Sequence, residues 1–227
     1  MLVPFGENLY LADGPTVSFF GIPYPTRMAV VRLAGGRAWV WSPIALTSGL
    51  ASAVEAIGPV SYIVSPNKLH HLFLPEWRAR WPDARLYAPP GLARKMKLLH
   101  FDAELGDQPI GAWMGEIDHV VFRGSFALAE VVFHHRASRT AIFADLIQRF
   151  PETAATGWKG LLMRYGGIVG PRGSTPRDWR LSFLARDAAR TARRTVLDWR
   201  PRRLLIAHGE CATTGASEII AAALRWI

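Results

Sequence analysis

Val60-Ser-Tyr-Ile-Val64 and the segment after it, Ser65-Pro-Asn-Lys-Leu-His-His71, form the stretch of sequence that decides the fold. The first five residues, rich in β-branched and aromatic side chains, predict a buried strand that ends at the Ser-Pro pair. Asn67 is a typical residue to begin the helix that is predicted next, and His70 and His71 lie at its start. A strand that turns directly into a helix indicates a fold in which helices cover sheets.

Two further apolar runs end at a residue that can bind a metal. Residues 141–144 lead into Asp145, and residues 204–207 lead into His208. In sheets covered by helices, ligands bind in the crevice beyond the carboxyl ends of the strands. If the three strand ends are neighbours, two or three imidazoles and one carboxylate converge, and this donor set suits zinc or iron. The alternative is that these histidines cap helices or lie in the core.

The rest of the chain predicts strands and helices that cover sheets. Residues 28–33 and 37–42 flank a Gly-Gly turn and predict a hairpin. Further predicted strands lie at 85–88, 120–122, 130–134 and 139–145. Further predicted helices lie at 47–57, 90–99, within 150–173, at 176–199 and at 218–227. Together these elements predict one α/β (α+β) domain over residues 1–227.

Composition indicates a folded protein with a substantial core and excludes a disordered chain. Half of the 227 residues are hydrophobic, and the formal net charge is +9. The single cysteine, Cys211, excludes an intrachain disulfide and a Cys-rich zinc site, which favours a reducing, cytoplasmic compartment. No apolar run reaches the roughly 18 residues of a transmembrane helix. The charge fits an anionic partner, or an Arg-rich surface with no such role.

Three of these segments carry motifs in a recognisable order: Ile63-Val-Ser-Pro-Asn-Lys-Leu-His-His71, Phe143-Ala-Asp145 and Ile206-Ala-His-Gly209. They resemble the metal motifs of the metallo-β-lactamase superfamily, which are His-x-His-x-Asp-His after a strand, a bridging aspartate and a last histidine. Residues 42–47, 66–77 and 130–140 resemble, more specifically, an uncharacterised domain-of-unknown-function branch of that superfamily. The resemblance implies a four-layer αββα sandwich and hydrolysis at a metal centre.

The sequence departs from the superfamily's pattern at the first of two metal positions. When the first motif is aligned on its last histidine, its other ligands fall on Pro66, Lys68 and His70, and the histidine of a third motif falls near Ser125. The first metal position has therefore lost its three imidazoles. The resemblance implies that the second position keeps four ligands: His70, His71, Asp145 and His208. That set suits at most one zinc or iron ion, or the site holds none.

Five more residues are predicted to line the pocket or to support its ligands: Lys68, Ser125, Glu130, His134 and Arg139. Lys68 would place its ammonium near the lost metal position, paired with Glu130 or Asp145, or it would face solvent. A buried Glu130 would need a cationic partner such as Lys68, Arg136 or Arg139.

The predictions for His134 and Arg139 come from the positions of these residues on a strand and in the loop that follows it. Because adjacent strand residues point to opposite faces, one of His134 and His135 could reach the pocket, while the other would lie on the far side. Arg139 would orient an anionic substrate or join two loops, and the second role is the preferred one. Ser125 is included only because it stands where the third motif has its histidine.

The function that the resemblance implies is that of a divergent metal-dependent hydrolase acting on an unspecified small molecule. The alternative is a metal-free, non-catalytic pseudo-enzyme that binds a ligand or partner in the same crevice. A third interpretation is nucleic-acid binding through the Arg-rich helix, where Arg186, Arg190 and Arg193 share a face. Interleaved aspartates and the lack of a nucleic-acid motif weigh against that interpretation.

Overall fold

The architecture is taken from a computed structural model, which describes residues 1–19 and 22–227. The strands are β1 (Val3–Gly6), β2 (Leu9–Phe19), β3 (Ile22–Arg32), β4 (Ala38–Trp41), β5 (Val60–Val64), β6 (Arg85–Ala88), β7 (Ala103–Glu104), β8 (Ile117–Phe122), β9 (Glu130–His135), β10 (Thr140–Phe143) and β11 (Arg203–Ile206). The α-helices are α1 (Ser48–Glu55), α2 (Leu74–Arg80), α3 (Leu92–Lys95), α4 (Gly157–Gly166), α5 (Arg177–Leu181), α6 (Arg186–Asp198) and α7 (Ala216–Ala223).

Two sheets pack face to face, and helices cover the outer face of each. Strands β1 to β7 form one sheet in chain order, and the other has the order β11-β10-β9-β8. Their inner faces share a buried cluster that includes Trp39, Trp41, Tyr62, Phe133 and Ile142. The outer face of the first sheet contacts α1 and α2 through Leu50, Val54 and Trp77. The outer face of the second contacts α6 and α7 through Ala189, Val196 and Ile220. The predicted αββα sandwich is therefore confirmed.

Parallel pairing brings the candidate ligands to one end of the sandwich. β10 and β11 run parallel with Phe143 opposite Ile206, so Asp145 and His208 leave the sheet side by side. In the first sheet β4 and β5 run parallel as well, and an isolated bridge joins Asn67, just beyond β5, to Glu130 of the second sheet. The carboxyl ends of strands from both sheets therefore meet at the same edge.

Two further sequence predictions have different outcomes. The predicted hairpin is present, since β3 and β4 pair antiparallel across the Gly-Gly turn. The single helix predicted at 176–199 is wrong, because α5 and α6 are separated by residues 182–185. That break forms because the Leu184 amide donates to the Gly124 carbonyl and the Phe126 amide donates to the Ser182 carbonyl. Among the helices of the described ranges, none combines the length and apolar character needed to cross a bilayer.

His135, at the end of β9, makes the stability of the fold depend on pH. It is buried between the sheets, with Nδ1 2.8 Å from Ser138 Oγ. Burial, with a smaller contribution from His134, lowers the pKa of His135 to about 4. The unfolded chain binds a proton at this residue below about pH 6.5, whereas the folded protein does so only near pH 4. The unfolded state is therefore favoured increasingly as the pH falls between these values.

We expect the free energy of unfolding to fall by up to about 3 kcal/mol through His135 as the pH is lowered over that window. Urea titrations across the window measure it, and His135→Gln should flatten the pH dependence. The exposed His100→Gln controls for the histidine-to-glutamine change itself. Part of the dependence should persist in His135→Gln, because burial also lowers the pKa of His119 and His134. An unchanged slope in His135→Gln would contradict the prediction.

Candidate metal centre

His70, Asp145 and His208 meet at the edge where β5, β10 and β11 end. His70 Nε2 lies 3.1 Å from Asp145 Oδ2, and His208 Nε2 lies 3.1 Å from Asp145 Oδ1. One ligand atom from each of the three residues lies within 4.8 Å of the other two. Their side chains are only 7–11% exposed. Within the described ranges this is the one cluster of three or more such groups close enough to hold a metal ion.

Each imidazole is oriented by a hydrogen bond on its other nitrogen. His208 Nδ1 donates to the Pro25 carbonyl oxygen at 2.8 Å. His70 Nδ1 lies 2.7 Å from Ser42 Oγ, and that hydroxyl donates to the Arg27 carbonyl oxygen at 3.1 Å. The Ser42 oxygen therefore accepts the proton on His70 Nδ1. In their neutral forms both rings present the Nε2 lone pair to the centre of the cluster, as metal-binding histidines do.

Glu130 and Asn67 hold Asp145 in place from inside the protein. The fully buried Glu130 accepts the backbone N–H groups of Ala144 at 2.9 Å, Asp145 at 2.8 Å and Leu146 at 3.1 Å. Asn67 Nδ2 donates to Glu130 Oε2 at 3.1 Å and to Asp145 Oδ2 at 2.8 Å. These contacts fix both the backbone and the carboxylate of Asp145.

The pKa values of the cluster reflect burial opposed by charge. Burial raises the pKa of Asp145, but the charges of His70 and His208 and the hydrogen bonds from their rings outweigh it and hold that pKa well below its usual range. Burial lowers the pKa of His208, but Asp145 and the Pro25 carbonyl raise it by more. Burial and then the charge of Asp145 raise the pKa of Glu130. An ionised Asp145 facing two imidazoles is a donor set for a cation.

His71 and Lys68 are not part of the cluster. His71 Nδ1 lies 3.0 Å from the Leu69 carbonyl oxygen and 3.5 Å from Lys95 Nζ. The prediction of His71 as a fourth ligand is therefore corrected, because the turn that precedes α2 points the two adjacent histidines in different directions. The side chain of Lys68 runs beside Gly91.

The predicted cationic partner of Glu130 is also corrected. In the described part of the chain no ion pair joins a lysine or arginine to Glu130 or Asp145. The donors are instead three backbone N–H groups and the Asn67 amide, the residue next to Lys68. Backbone amides and a neutral side chain satisfy this buried carboxylate.

His134 and Arg139 lie at the other end of the β9–β10 hairpin, so their predicted place in the pocket is corrected. His134 faces the outer side of the sheet, where its ring stacks on Trp199 at 5.3 Å. Arg139 Nη2 donates to the Arg200 carbonyl oxygen at 2.9 Å, which is the loop-joining role. Because β9 and β10 are antiparallel, residues at their connection are the farthest along both strands from Asp145.

Ser125 has a structural role as well. Its Oγ lies 2.6 Å from Ser182 Oγ and accepts the backbone N–H groups of Ala127 and Leu128, each at 3.1 Å. These contacts join the loop after β8 to the segment between α5 and α6. Ser125 is therefore not placed in the cluster, and the prediction that it lines the pocket is corrected.

Arg186, Arg190 and Arg193 of α6, the residues of the predicted nucleic-acid surface, also make hydrogen bonds within the chain, and nucleic-acid binding through them stays a prediction. Each has an intramolecular partner: Arg186 with the Trp226 carbonyl, Arg190 with the Asp187 carboxylate and Arg193 with the Ala221 carbonyl. Two of the three contacts lie on the C-terminal segment that includes α7. Arg186 and Arg193 tie α6 to that segment, whereas Arg190 pairs within α6.

Sequence reasoning missed Ser42, Asn67 and the Pro25 carbonyl. Ser42 follows β4 directly and has φ 51°, in the left-handed region that non-glycine residues rarely adopt. Its position in the family-like segment 42–47 was a signal, although it assigned no role. Asn67 lies inside the first motif and was interpreted only as a helix cap. A backbone carbonyl has no signature in the sequence.

With this geometry described, the chain was compared with known proteins. Residues 16–161, more than half of the chain, match the profile of a family described as a domain of unknown function (DUF4336). The chain belongs to this family. Among curated proteins, none matches the sequence of this DUF4336 member.

Solved structures that resemble this DUF4336 member include metallo-β-lactamases. One from Pontibacter korlensis is 10% identical with a TM-score of 0.66, and the match covers 100% of this chain and 97% of the Pontibacter chain. One from Hirschia baltica is 13% identical with a TM-score of 0.65, at 100% and 96% coverage. FIM-1 from Pseudomonas aeruginosa, solved in its mono-zinc form, is 11% identical with a TM-score of 0.64, at 100% and 96% coverage. At these identities the structural similarity shows only a shared fold. It confirms, for the fold, the resemblance to the metallo-β-lactamase superfamily.

Proposed function

We propose that this DUF4336 member is a metal-dependent hydrolase in which His70, Asp145 and His208 hold one zinc or iron ion. The observation that carries the proposal is the inward direction of two Nε2 atoms and one carboxylate, with both Nδ1 atoms already hydrogen-bonded. Two imidazoles and a carboxylate suit either metal. Three protein ligands also leave a coordination position for water or substrate, as in catalytic sites.

The residues of the chain have distinct parts in this proposal. A bound ion of this kind would polarise a carbonyl or phosphoryl oxygen and lower the pKa of a water molecule, so that hydroxide is available near neutral pH to attack the substrate. Asp145 supplies the negative charge, Asn67 orients its carboxylate and Glu130 holds its backbone N–H. Ser42 and the Pro25 carbonyl fix the imidazole tautomers. Because both sheets contribute to the site, we also propose that residues 1–227 act as one domain. The single cysteine favours a reducing, cytoplasmic compartment for it.

A second candidate function is a metal-free crevice that binds a ligand. The observation in its favour is that both Nε2–carboxylate distances, 3.1 Å, are hydrogen-bond distances. With protonated rings, Asp145 would satisfy His70 and His208 directly. The two candidates differ in whether the three residues take up a metal ion.

Metal uptake is the test of the proposed function. We expect wild-type protein incubated with Zn²⁺ or Fe²⁺ and gel-filtered to retain about one equivalent by elemental analysis. His70→Ala and His208→Ala should retain less than about a tenth of an equivalent, because each removes one of three ligands. His71→Ala is the matched control and should bind like wild type. If wild-type protein retains no metal after gel filtration, the metal-free crevice is favoured. Loss of metal in His71→Ala would show that the ligand set is a different one.

Hydrolysis is then measured on the metal-loaded protein with chromogenic esters, thioesters and phosphodiesters. We expect turnover that falls by about two orders of magnitude or more in Asp145→Asn, since the carboxylate is both a ligand and the charge of the site. His71→Ala should keep its turnover. Turnover that is equal in Asp145→Asn and wild type would come from a contaminant and would reject the proposed site.

A further inference from the structure

Helix α4 presents its large apolar side chains to solvent. Trp158, Leu161, Leu162 and Tyr165 have the spacing i, i+3, i+4 and i+7 and so share one face, which we call the α4 face. They are 66%, 69%, 47% and 71% exposed, whereas Gly160 on the opposite side is buried. A surface helix normally turns its apolar face toward the core. The α4 face has the reverse orientation and is not covered by the rest of the described chain.

Exposed apolar side chains continue on the elements next to α4. Phe126, Leu181 and Leu184 are 75%, 77% and 80% exposed. α5, which ends at Leu181, packs against α4, and the segment of Phe126 hydrogen-bonds to the residues that follow α5. Seven of the twelve exposed large apolar side chains in the described ranges belong to this region. Such a concentration indicates an interaction surface rather than scattered exposure.

Basic residues surround the same region. Residues 158–186 contain six lysines and arginines against one acid, Asp178. Of these cations, Arg164 pairs with Glu152 and Arg186 contacts the Trp226 carbonyl. The Lys159 ammonium lies 5.6 Å from the Trp158 ring centroid, and the Arg177 guanidinium lies 5.2 Å from that of Tyr165. The cations are thus held at the aromatic side chains of the α4 face. An apolar helix face with Trp at its edge and basic neighbours is typical of helices that lie in a membrane interface.

We propose that the α4 face docks on an anionic lipid bilayer. Leu161 and Leu162 would enter the boundary of the acyl chains, while Trp158 and Tyr165 would lie among the headgroups with the neighbouring cations on lipid phosphates. Charge distinguishes this partner from a second copy of the chain. Each copy carries a net charge of +9, so pairing two α4 faces would bring basic residues together, whereas an anionic surface attracts them.

A series of contacts connects α4 to the candidate metal centre. The Phe150 amide donates to the Ile168 carbonyl just after α4, at 2.9 Å. The ring of Tyr24 lies 6.5 Å from that of Phe150 and 5.1 Å from that of His208. This series therefore runs from the buried segment after α4 to the cluster. The docking proposal itself does not depend on metal uptake or on hydrolysis.

Vesicle sedimentation of the full chain tests the proposal. Wild-type protein should sediment with phosphatidylcholine vesicles that contain phosphatidylserine, less with pure phosphatidylcholine, and less at high salt. Leu161→Asp should weaken binding by about tenfold or more, because it places a charge on the apolar face. Arg177→Glu should weaken it and reduce the salt dependence. Leu98→Asp, at a fully exposed leucine outside this region, is the matched control and should bind like wild type.

Melting temperatures of the three variants should match that of wild type, since the substituted side chains are exposed. Failure of wild-type protein to bind anionic vesicles would overturn the proposal, as would unchanged binding of Leu161→Asp or loss of binding in Leu98→Asp. Sedimentation velocity tests whether the α4 face instead binds a second copy of the chain. A wild-type dimer that Leu161→Asp converts to a monomer, without vesicle binding, would assign the α4 face to a second copy.

Discussion

Glu130→Ala is expected to lower the free energy of unfolding by about 3–5 kcal/mol. The substitution removes the acceptor of four buried N–H donors, which belong to the backbone of Ala144, Asp145 and Leu146 and to the amide of Asn67. A buried donor left without a partner costs about 1–3 kcal/mol, and partial relaxation keeps the total below the sum. Urea unfolding followed by circular dichroism measures the change.

A matched control separates burial from the loss of a hydrogen bond as such. Glu116 also accepts a backbone N–H, that of Ala34 at 2.7 Å, but at an exposed site. In Glu116→Ala water can take over the acceptor role, so we expect a loss below about 1 kcal/mol. The loss of unfolding free energy in Glu130→Gln should lie between those of the two alanine variants. Its amide oxygen still accepts hydrogen bonds, but its NH₂ group faces some of the N–H donors. Equal losses in Glu130→Ala and Glu116→Ala would mean that water reaches the buried N–H groups.

Glu130→Gln should also affect the cluster without touching it. Glu130 holds the backbone N–H of Asp145, and residues that orient metal ligands typically contribute 10–100-fold to metal affinity. We therefore expect weaker metal uptake in Glu130→Gln at a pH where the variant is still folded. Unchanged metal affinity would show that Asn67 alone is enough to orient Asp145.

Gly209→Ala is expected to destabilise the fold by about 3 kcal/mol or more and to abolish metal uptake. Gly209 has φ +105°, and an added Cβ would lie 2.1 Å from the Arg149 carbonyl oxygen. That oxygen cannot move away easily, because it accepts the Glu210 N–H at 2.7 Å, while the Arg149 N–H donates to the His208 carbonyl. Relief of the clash must therefore displace the backbone next to His208, a proposed ligand.

Gly36→Ala is the control for backbone strain alone. Gly36 also has a positive φ, +75°, but nothing lies within 4 Å of an added Cβ. We expect it to lose only about 1 kcal/mol, the penalty of a left-handed conformation for an L side chain, and to bind metal normally. A Gly209→Ala protein as stable as Gly36→Ala would show that the Arg149 segment adapts to the added methyl group.

The three clustered residues were predictable because each ends an apolar run. Asp145 and His208 follow strands that pair in parallel, so a shared direction along the chain becomes a shared position in space. His71 shows the limit of this reasoning. It is adjacent to His70, yet the turn before α2 points it to the Leu69 carbonyl and Lys95. Spacing places the backbone, while the direction of a side chain in a turn depends on local dihedral angles.

The partners of Glu130 illustrate a second limit. A buried Glu130 was expected to need a cationic partner, and Lys68, Arg136 and Arg139 were the candidates. The structure uses backbone N–H groups, which every residue except proline carries and which no sequence pattern distinguishes. The helix around Trp158 was also foreseen, whereas the direction of its apolar face was not. Whether that face meets the core or solvent depends on elements distant in the chain.

Most strands and helices, the αββα layers and the meeting of His70, Asp145 and His208 at one edge follow from the sequence by itself, because hydrophobic periodicity and strand-end positions are local properties of the chain. Tertiary structure alone decided that Ser42 and Pro25 orient the histidines, that Asn67 rather than Lys68 reaches Asp145, and that α4 turns its apolar residues outward. These are contacts between segments up to 183 residues apart. Their geometry is set by how the two sheets and their helices pack together, which no local pattern encodes.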